Sequence, residues 1–417
     1  MAGEQRVTPF ATFRVKSFRY QFPSDLFVSL GFEMEAIILG WYIFEETGSV
    51  ILLTVYGSLR FIGTLLAPWT GLIGDRLSRR RVLYTMRACL AILAGIILIS
   101  AWTGHLNPYL AFAVAFFSGL IQPSDILNRN ALIGDSMPSD LLMSASSLSR
   151  IAMDGARVFG ALTGAGLFAA LGMHVAYTFV VAVYVISALI TLGVTRAHPR
   201  RDHAETSGSA DAKPSQFAEI KEGLVYTWKA PAILAIMWLA FLVNLTAFPV
   251  THGLLPFVAK EVMSADITVL GNLVAAFSMG AVAGSFILSW FSGRRYAARL
   301  CVLGLISWHV MVIIFARFDT VTAGMIVLFF TGVGHSIAMA SMTAALLIVT
   351  DPMIRGRVMG IRVLCIYGLP LGLLGAGFLI ESLGWVSFVD LYNGIGIALT
   401  ILIAFRWRAH IWQGKSA

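Results

Sequence analysis

Long apolar runs alternate with short charged turns along almost the whole chain. Windows of about 20 residues that could each cross roughly 30 Å of hydrocarbon recur near 26–45, 50–73, 83–103, 108–127, 142–170, 174–195, 232–251, 269–291, 300–316, 321–349, 361–381 and 386–405. The pattern predicts twelve transmembrane helices, and therefore an all-α polytopic membrane protein. The sharpest turn reads GLIGDRLSRRRVL over 71–83. An acid followed by four arginines cannot lie in lipid, so residues 75–81 are expected as a short turn at the water interface.

One long polar break, 196–230, interrupts the series. It opens with RAHPRRDHAETSGSADAKPS, poor in large apolar residues and expected as a flexible linker. FAEIKEGLVYTWK follows, in which Phe217, Ile220, Leu224, Val225 and Trp228 recur at helical spacing, the mark of an amphipathic surface helix. The expected organisation is an N-terminal arm over 1–25, six helices over 26–195, the linker over 196–230, six more helices over 231–405 and a tail over 406–417. The halves resemble each other. GAG at 164–166 precedes Gly172 as GAG at 375–377 precedes Gly384, and Ser78, Arg79 and Arg80 correspond to Gly293, Arg294 and Arg295. Matching positions in both halves point to duplication, and two similar bundles around a midplane site are the architecture of a rocker-type transporter.

Composition agrees: 58% of the 417 residues are hydrophobic and 12% charged, against about a quarter charged in soluble domains. The net charge of +8 is spread as brackets around apolar segments and not gathered in a patch, which argues against a nucleic-acid partner. Counting from the N-terminus, 25 of the 30 lysines and arginines fall on the side of the termini, with only Lys260 and Arg317 opposite; both termini are therefore expected in the cytoplasm. The first span is too long for a signal-peptide core and is expected to be retained. Phe10, Phe13, Phe18 and Tyr20 interleave with Arg14, Lys16 and Arg19, giving either an arm laid on an anionic leaflet or a disordered basic tail. Cys89, Cys301 and Cys365 lack pairing or metal-ligand spacing, and no GxxxxGK[ST], HExxH or GxSxG run occurs. No cofactor, metal site or enzymatic activity is expected, and ATP-driven transport by this chain alone is disfavoured.

Charges inside spans are the next candidates, because burying one in lipid is costly unless it meets a cavity or a partner. Glu33 and Glu35 lie in the first span, about 200° apart around a helix, so that either one is a candidate proton-binding carboxylate and the other lies near a helix contact, or both sit shallow enough to be hydrated. Arg60 in the second span is a possible partner for either. In the fifth span Asp154 and Arg157 are three residues apart, either a structural pair or a cavity-lining one, with Arg150 a turn away. Gly160, Gly164 and Gly166 read as helix-packing positions. Asn244, His252, Asn272 and His335 bring polar groups into the second half, with Asn244 and His335 as cavity candidates.

The 71–83 segment resembles the loop between helices 2 and 3 of the major facilitator superfamily: Gly71, Asp75, Arg76, Arg79, Arg80 and Leu83 match, and Ser78 stands where glycine is usual. Gly40 and Trp41 with TGS at 47–49, EIKEGLVYTWKAP at 219–231, LLPFVAKEV at 254–262, RGRVMG at 355–360 and PLG at 370–372 are similar to the branch containing the enterobactin exporter and macrolide efflux proteins. The resemblance implies the major facilitator fold, alternating access driven by proton or other ion exchange, a bacterial cytoplasmic (inner) membrane location and a small-molecule substrate, with a monomer as the working unit. Export of a small amphipathic molecule, of the drug or siderophore class, is the leading expectation; import of an organic solute, or a polytopic receptor or assembly factor without flux, are the alternatives. Asp75 and its arginines, with Arg355 and Arg357 before the eleventh span, form the candidate cytoplasmic gate. Two departures stand out. Ala161 replaces the proline that antiporter branches carry after the first glycine of the fifth helix, and no arginine lies between Pro108 and Asn128, where many proton antiporters carry one.

Overall fold

The computed structural model of the chain describes residues 9–65, 78–195, 216–290, 296–351 and 354–411. Among these residues the regular structure is all helical, with no strand, and nine helices are long and apolar enough to cross a membrane, or ten if one sharply bent pair counts as a single span. The difference from twelve has local causes. Helix α1, Lys16–Thr47, is the first span, and α2, Val50–Leu59, is the part of the second that is described. Helices α3, Arg79–Trp102, and α4, Pro108–Ser136, follow. Helix α5, Ser139–Thr191, carries the fifth and sixth spans in one 53-residue element. Its break is Gly172, at φ 78° and ψ 179°, a conformation only glycine adopts without strain.

In the second half the amphipathic helix α6, Gln216–Lys229, leads into α7, Pro231–Thr246, at 104°. The seventh span is fragmented. After α7 come α8, Phe248–His252, a turn at Leu255–Phe257 and a π-helical stretch at Val258–Val262. Pro249 and Pro256 each sit in the first turn of a fragment, where a missing N–H costs nothing but the preceding helix cannot run through. Helices α9, Ile267–Trp290, α10, Ala297–Phe315, and α11, Val321–Val349, are continuous; α12, Arg355–Leu364, and α13, Gly368–Leu383, are joined by a 3-10 turn, and α14, Trp385–Arg406, closes the set. Gly384, between α13 and α14, has φ 81°. It repeats Gly172 at the equivalent joint, so the glycine pair that marked the duplication is a pair of left-handed links.

The chain divides into two units, Met1–Tyr42 with Leu59–Ala210, and Ile43–Ser58 with Asp211–Ala417. The hairpin over 43–58, encoded between the first two spans, is thus counted with the second unit. There Ser58 donates to the Pro370 carbonyl at 3.2 Å, and a Cβ on Gly377 would lie 3.0 Å from the Ile51 backbone. Phe44 meets the Phe257 ring edge-on, with centroids 5.7 Å apart.

From Pro9 onward the N-terminal arm is ordered against protein. A 3-10 turn, Pro9–Arg14, enters α1, and Phe13, Phe18 and Phe22 stack on one another and on Ile133, Met137 and Leu141 at the ends of α4 and α5. Burying apolar rings against protein outweighs leaving them at the interface, while Arg14, Lys16 and Arg19 stay exposed. Across the linker, Glu222 of α6 lies 2.7 Å from Arg357 of α12, and Leu224, Val225 and Trp228 remain on the exposed side of α6, which suits a bilayer interface.

Candidate functional site

Four charges that hydropathy places at span ends form the buried centre of the first unit. Helix α1 begins ten residues before the predicted span, so Asp25 is helical and 4% exposed; Arg87 of α3 and Asp125 and Arg129 of α4 are equally enclosed. Arg87 bridges two helices, its Nη2 on Asp25 Oδ1 at 2.5 Å and its Nε on Asp125 Oδ1 at 3.1 Å. Arg129 reaches back one turn to Asp125 Oδ2 at 2.6 Å and lies 3.7 Å from Asp25 Oδ1. Ser24 and Thr191 accept from Arg87 Nη1, Ser29 accepts from Arg129 Nη1 at 3.0 Å, and Gln21 donates to the Arg129 carbonyl at 2.9 Å. Two acids and two bases cancel, the condition under which charges tolerate such burial.

A cavity of about 50 Å³ opens beside this quartet, with Ser29, Glu33, Gln122, Asp125 and Arg129 on its polar wall and Phe32, Leu90 and Met153 opposite. Its volume suits about three or four waters. Glu33 is the surplus charge: half-buried, with no hydrogen bond or ion pair among the described residues. Gly160 and Gly164 of α5 hold α1 at this level, since a Cβ at 160 would fall 2.8 Å from the Glu33 Cβ and one at 164 would fall 3.0 Å from the Met34 Cα. Gly166 makes no such approach, with nothing within 4 Å of a Cβ there; it is not a packing contact. Glu35 points elsewhere, buried and accepting a 2.8 Å bond from Tyr184 in the second arm of α5. Gly31 makes room for that tyrosine.

Other expected residues are placed as follows. Gly71, Asp75 and Arg76 lie outside the described residues. Arg79 Nε donates to Asp135 at 2.6 Å, tying α3 to the end of α4, and neighbouring Arg80 is half-buried. Arg355 Nε donates to the Thr350 carbonyl, and Arg357 meets Glu222 as described. Arg60 does not ion-pair with a glutamate by contact; its guanidinium stacks on Phe32, 4.8 Å from the ring centroid. Asp154 pairs with Arg150 at 3.4 Å, side chains 43% and 70% exposed, because the i,i+4 reach on the open face competes with the i,i+3 reach to Arg157. Asn244 spends its amide on the Ala240 carbonyl of its own helix at 2.8 Å.

His335 is brought into a ring cluster around the broken seventh span. Its ring lies 4.6 Å from Trp308, 5.2 Å from Phe277, 5.6 Å from Phe248 and 6.2 Å from His252. A further histidine, His309, next to Trp308 in sequence, is buried, bridging the Leu305 carbonyl and the Thr246 hydroxyl. Among the described residues no group of three or more His, Cys, Asp or Glu could hold a metal.

The residues missed from sequence are Asp25, Arg87, Asp125 and Arg129. One signal was available: Asp125 and Arg129 share the i,i+4 spacing of a neutralising pair. No arginine lies between Pro108 and Asn128, as the sequence reads; Arg129 stands one residue beyond, on α4, which continues to Ser136 and encloses it.

Comparison with known proteins identifies the family and the fold. A family described as "Transmembrane secretion effector" matches residues 7–416. An uncharacterised MFS-type transporter of Bacillus subtilis (strain 168), YfiS, is 24% identical over 173 residues, which is 41% of this chain and 39% of that protein. Solved structures superpose over nearly the whole chain at low identity: the POT family transporter PepTSo (TM-score 0.74, 12% identity, 96% of this chain and 99% of that one) and an inward-facing bacterial homologue of the human lysosomal transporter Spinster (0.73, 14%, 95% and 98%). The nucleoside transporter NupG is similar too (0.72, 16%, 94% and 98%). At such identities the likeness is one of fold.

Proposed function

We propose that this chain, which belongs to the major facilitator superfamily in its family of transmembrane secretion effectors, exports a small amphipathic molecule of the drug or siderophore class in exchange for protons. Membership makes it a secondary transporter working by alternating access. The observation that carries the finer reading is Glu33, a carboxylate on the cavity wall, without an ion pair among the described residues, next to a charge-balanced quartet. A lone acid there binds one proton with little rearrangement, whereas protonating Asp25 or Asp125 would strand a buried arginine. Gly160 and Gly164 keep α1 seated, so protonation of Glu33 is felt by the helix that also carries Asp25. Glu35, Arg60, Asp154, Arg157 and Asn244 act as supporting groups, with His335 in the second unit.

The turn holding Gly71, Asp75 and Arg76, with Arg79, Arg80, Arg355 and Arg357, serves as the cytoplasmic gate. Both termini lie in the cytoplasm of a bacterial inner membrane, and the monomer is the working unit. Arg87 and Arg129 leave the loop-charge tally because they are buried, yet the excess on the terminal side persists. The family description as a secretion effector supports export.

Efflux of a panel of dyes, antibiotics and siderophores from cells, with and without a protonophore, tests this reading. Wild type is expected to lower the intracellular level of at least one compound in a protonophore-sensitive way, and Glu33→Gln to abolish that loss. A transported compound whose flux ignores both the protonophore and Glu33→Gln refutes the coupling, and accumulation on expression reverses the direction.

A further inference from the structure

Helix α6 has two unlike sides. On one, Gly223 is pressed against α12: a Cβ there would lie 3.0 Å from Ile361 Cδ1 and 3.1 Å from Arg357 Cβ, and neighbouring Glu222 meets Arg357 at 2.7 Å. On the other, Leu224, Val225 and Trp228 stand open, the tryptophan 68% exposed. Apolar side chains grouped in this way mark a surface that something apolar covers. The last two turns of α6 meet α7 at 104°, so where α7 crosses the bilayer α6 lies along its surface.

The open face ends on positive charge. Lys229 follows Trp228 and is exposed. The chain comes back to α7 at its far end: α14 packs on it, and so does the short helix α15, Arg408–Ile411. There the Arg406 guanidinium lies 5.4 Å from the Trp407 ring centroid, and that of Arg408 lies 5.2 Å from the centroid of exposed Phe405. Stacking holds a guanidinium by its face and leaves its N–H edge able to donate to a phosphate. Among the described residues Lys229, Arg406 and Arg408 have no hydrogen bond or ion pair with protein. Among the described side chains of α6, the last turn of α14 and α15, the single acid is Glu222, and Arg357 already holds it.

We propose that α6 and the α14–α15 end form a docking surface for anionic phospholipids of the adjoining leaflet. Leu224, Val225 and Trp228 enter the acyl boundary, and Lys229, Arg406 and Arg408 take the headgroup phosphates. Charge complementarity selects this occupant. A zwitterionic headgroup carries its own cation beside the phosphate, whereas an acidic one adds net attraction for every basic side chain near it. An apolar protein partner would cover the same face but leave three cations without counter-charge. Because the other side of α6 is seated on Arg357, the lipid contact reaches a residue of the proposed cytoplasmic gate.

Fluorescence quenching in full-length, cysteine-free protein in nanodiscs tests it, with the fluorophore on Val225→Cys and spin-labelled phosphatidylglycerol or phosphatidylcholine as quencher. At low salt the glycerol lipid is expected to quench about fivefold more effectively per mole. That advantage should shrink at molar ionic strength, where the screening length falls to about 3 Å. Lys229→Gln combined with Arg406→Gln and Arg408→Gln should equalise the two lipids while both still quench. The same label on Ile326→Cys, exposed near the start of α11, should show no preference. Equal quenching by the two lipids at Val225→Cys with the three basic residues intact, or an equally large preference at Ile326→Cys, overturns the proposal. Quenching by neither lipid would mean that protein covers the face, and overturns it as well. The lipid comparison needs no charge variant, so a misfolded triple variant does not rescue it. No transport is read, so any of these outcomes leaves the proton-exchange reading where it stands.

Discussion

Replacing Asp125 by Asn removes one charge from the quartet and leaves the others where they are. Asp125 receives Arg129 at 2.6 Å and Arg87 at 3.1 Å. At an effective dielectric of about 20 each contact is worth about 5–6 kcal/mol of gross attraction, most of it offset by the cost of desolvating the ions. The net loss on breaking such a pair is about 3–5 kcal/mol, because an arginine is left buried without its counter-ion. Thermal unfolding of purified protein, followed with a thiol-reactive dye that reports exposure of the buried Cys301, measures the change. Asp125→Asn should lower the transition strongly. Asp125→Asn combined with Arg129→Gln restores neutrality and should recover a coupling of at least about 1.5 kcal/mol relative to additive losses. Strictly additive single and double variants would show that the four charges do not act as one balanced group.

Gly160→Val is expected to cost about 1–3 kcal/mol by pushing against Glu33, while Gly166→Val stays near wild type; similar unfolding midpoints for the two would contradict the packing at α1 and α5. Glu222→Gln should cost less than about 1 kcal/mol, since the Glu222 side chain is 60% exposed and such pairs contribute little; a larger loss in the same assay would make the linker helix a structural clamp. Gly377→Val should loosen the hairpin over 43–58, so that a cysteine placed at Leu53, 1% exposed, becomes accessible to a thiol reagent in a cysteine-free background. Unchanged protection of that cysteine would place the hairpin's hold elsewhere.

The spans were legible because a bilayer permits so few backbones: a run of apolar residues of sufficient length has to be a helix. The duplication was legible in Gly172 and Gly384, whose positive φ angles explain why the same residue recurs at the same joint. The site was much less so. A hydropathy window stops at the first charge, and Asp25 and Arg129 each sit at such a stop, although their helices continue beyond it. Their neutralisation joins positions 62 and 104 residues apart, from Arg87 to Asp25 and from Asp25 to Arg129 respectively, and no periodicity within one helix carries that information. Asp154 illustrates the smaller error: two partners at helical spacing were available, and only the open face of α5 decides for Arg150. Arg60 stacks on the Phe32 ring while its charge still acts on Glu35.

Helix α1 runs unbroken through the point, between Tyr42 and Ile43, where the chain passes from one unit to the other, while the return at Leu59 ends in a turn. The outgoing connection is therefore a continuous helical rod and the returning one a turn. Eighteen residues of that rod, about 27 Å, separate Asp25 from Ile43.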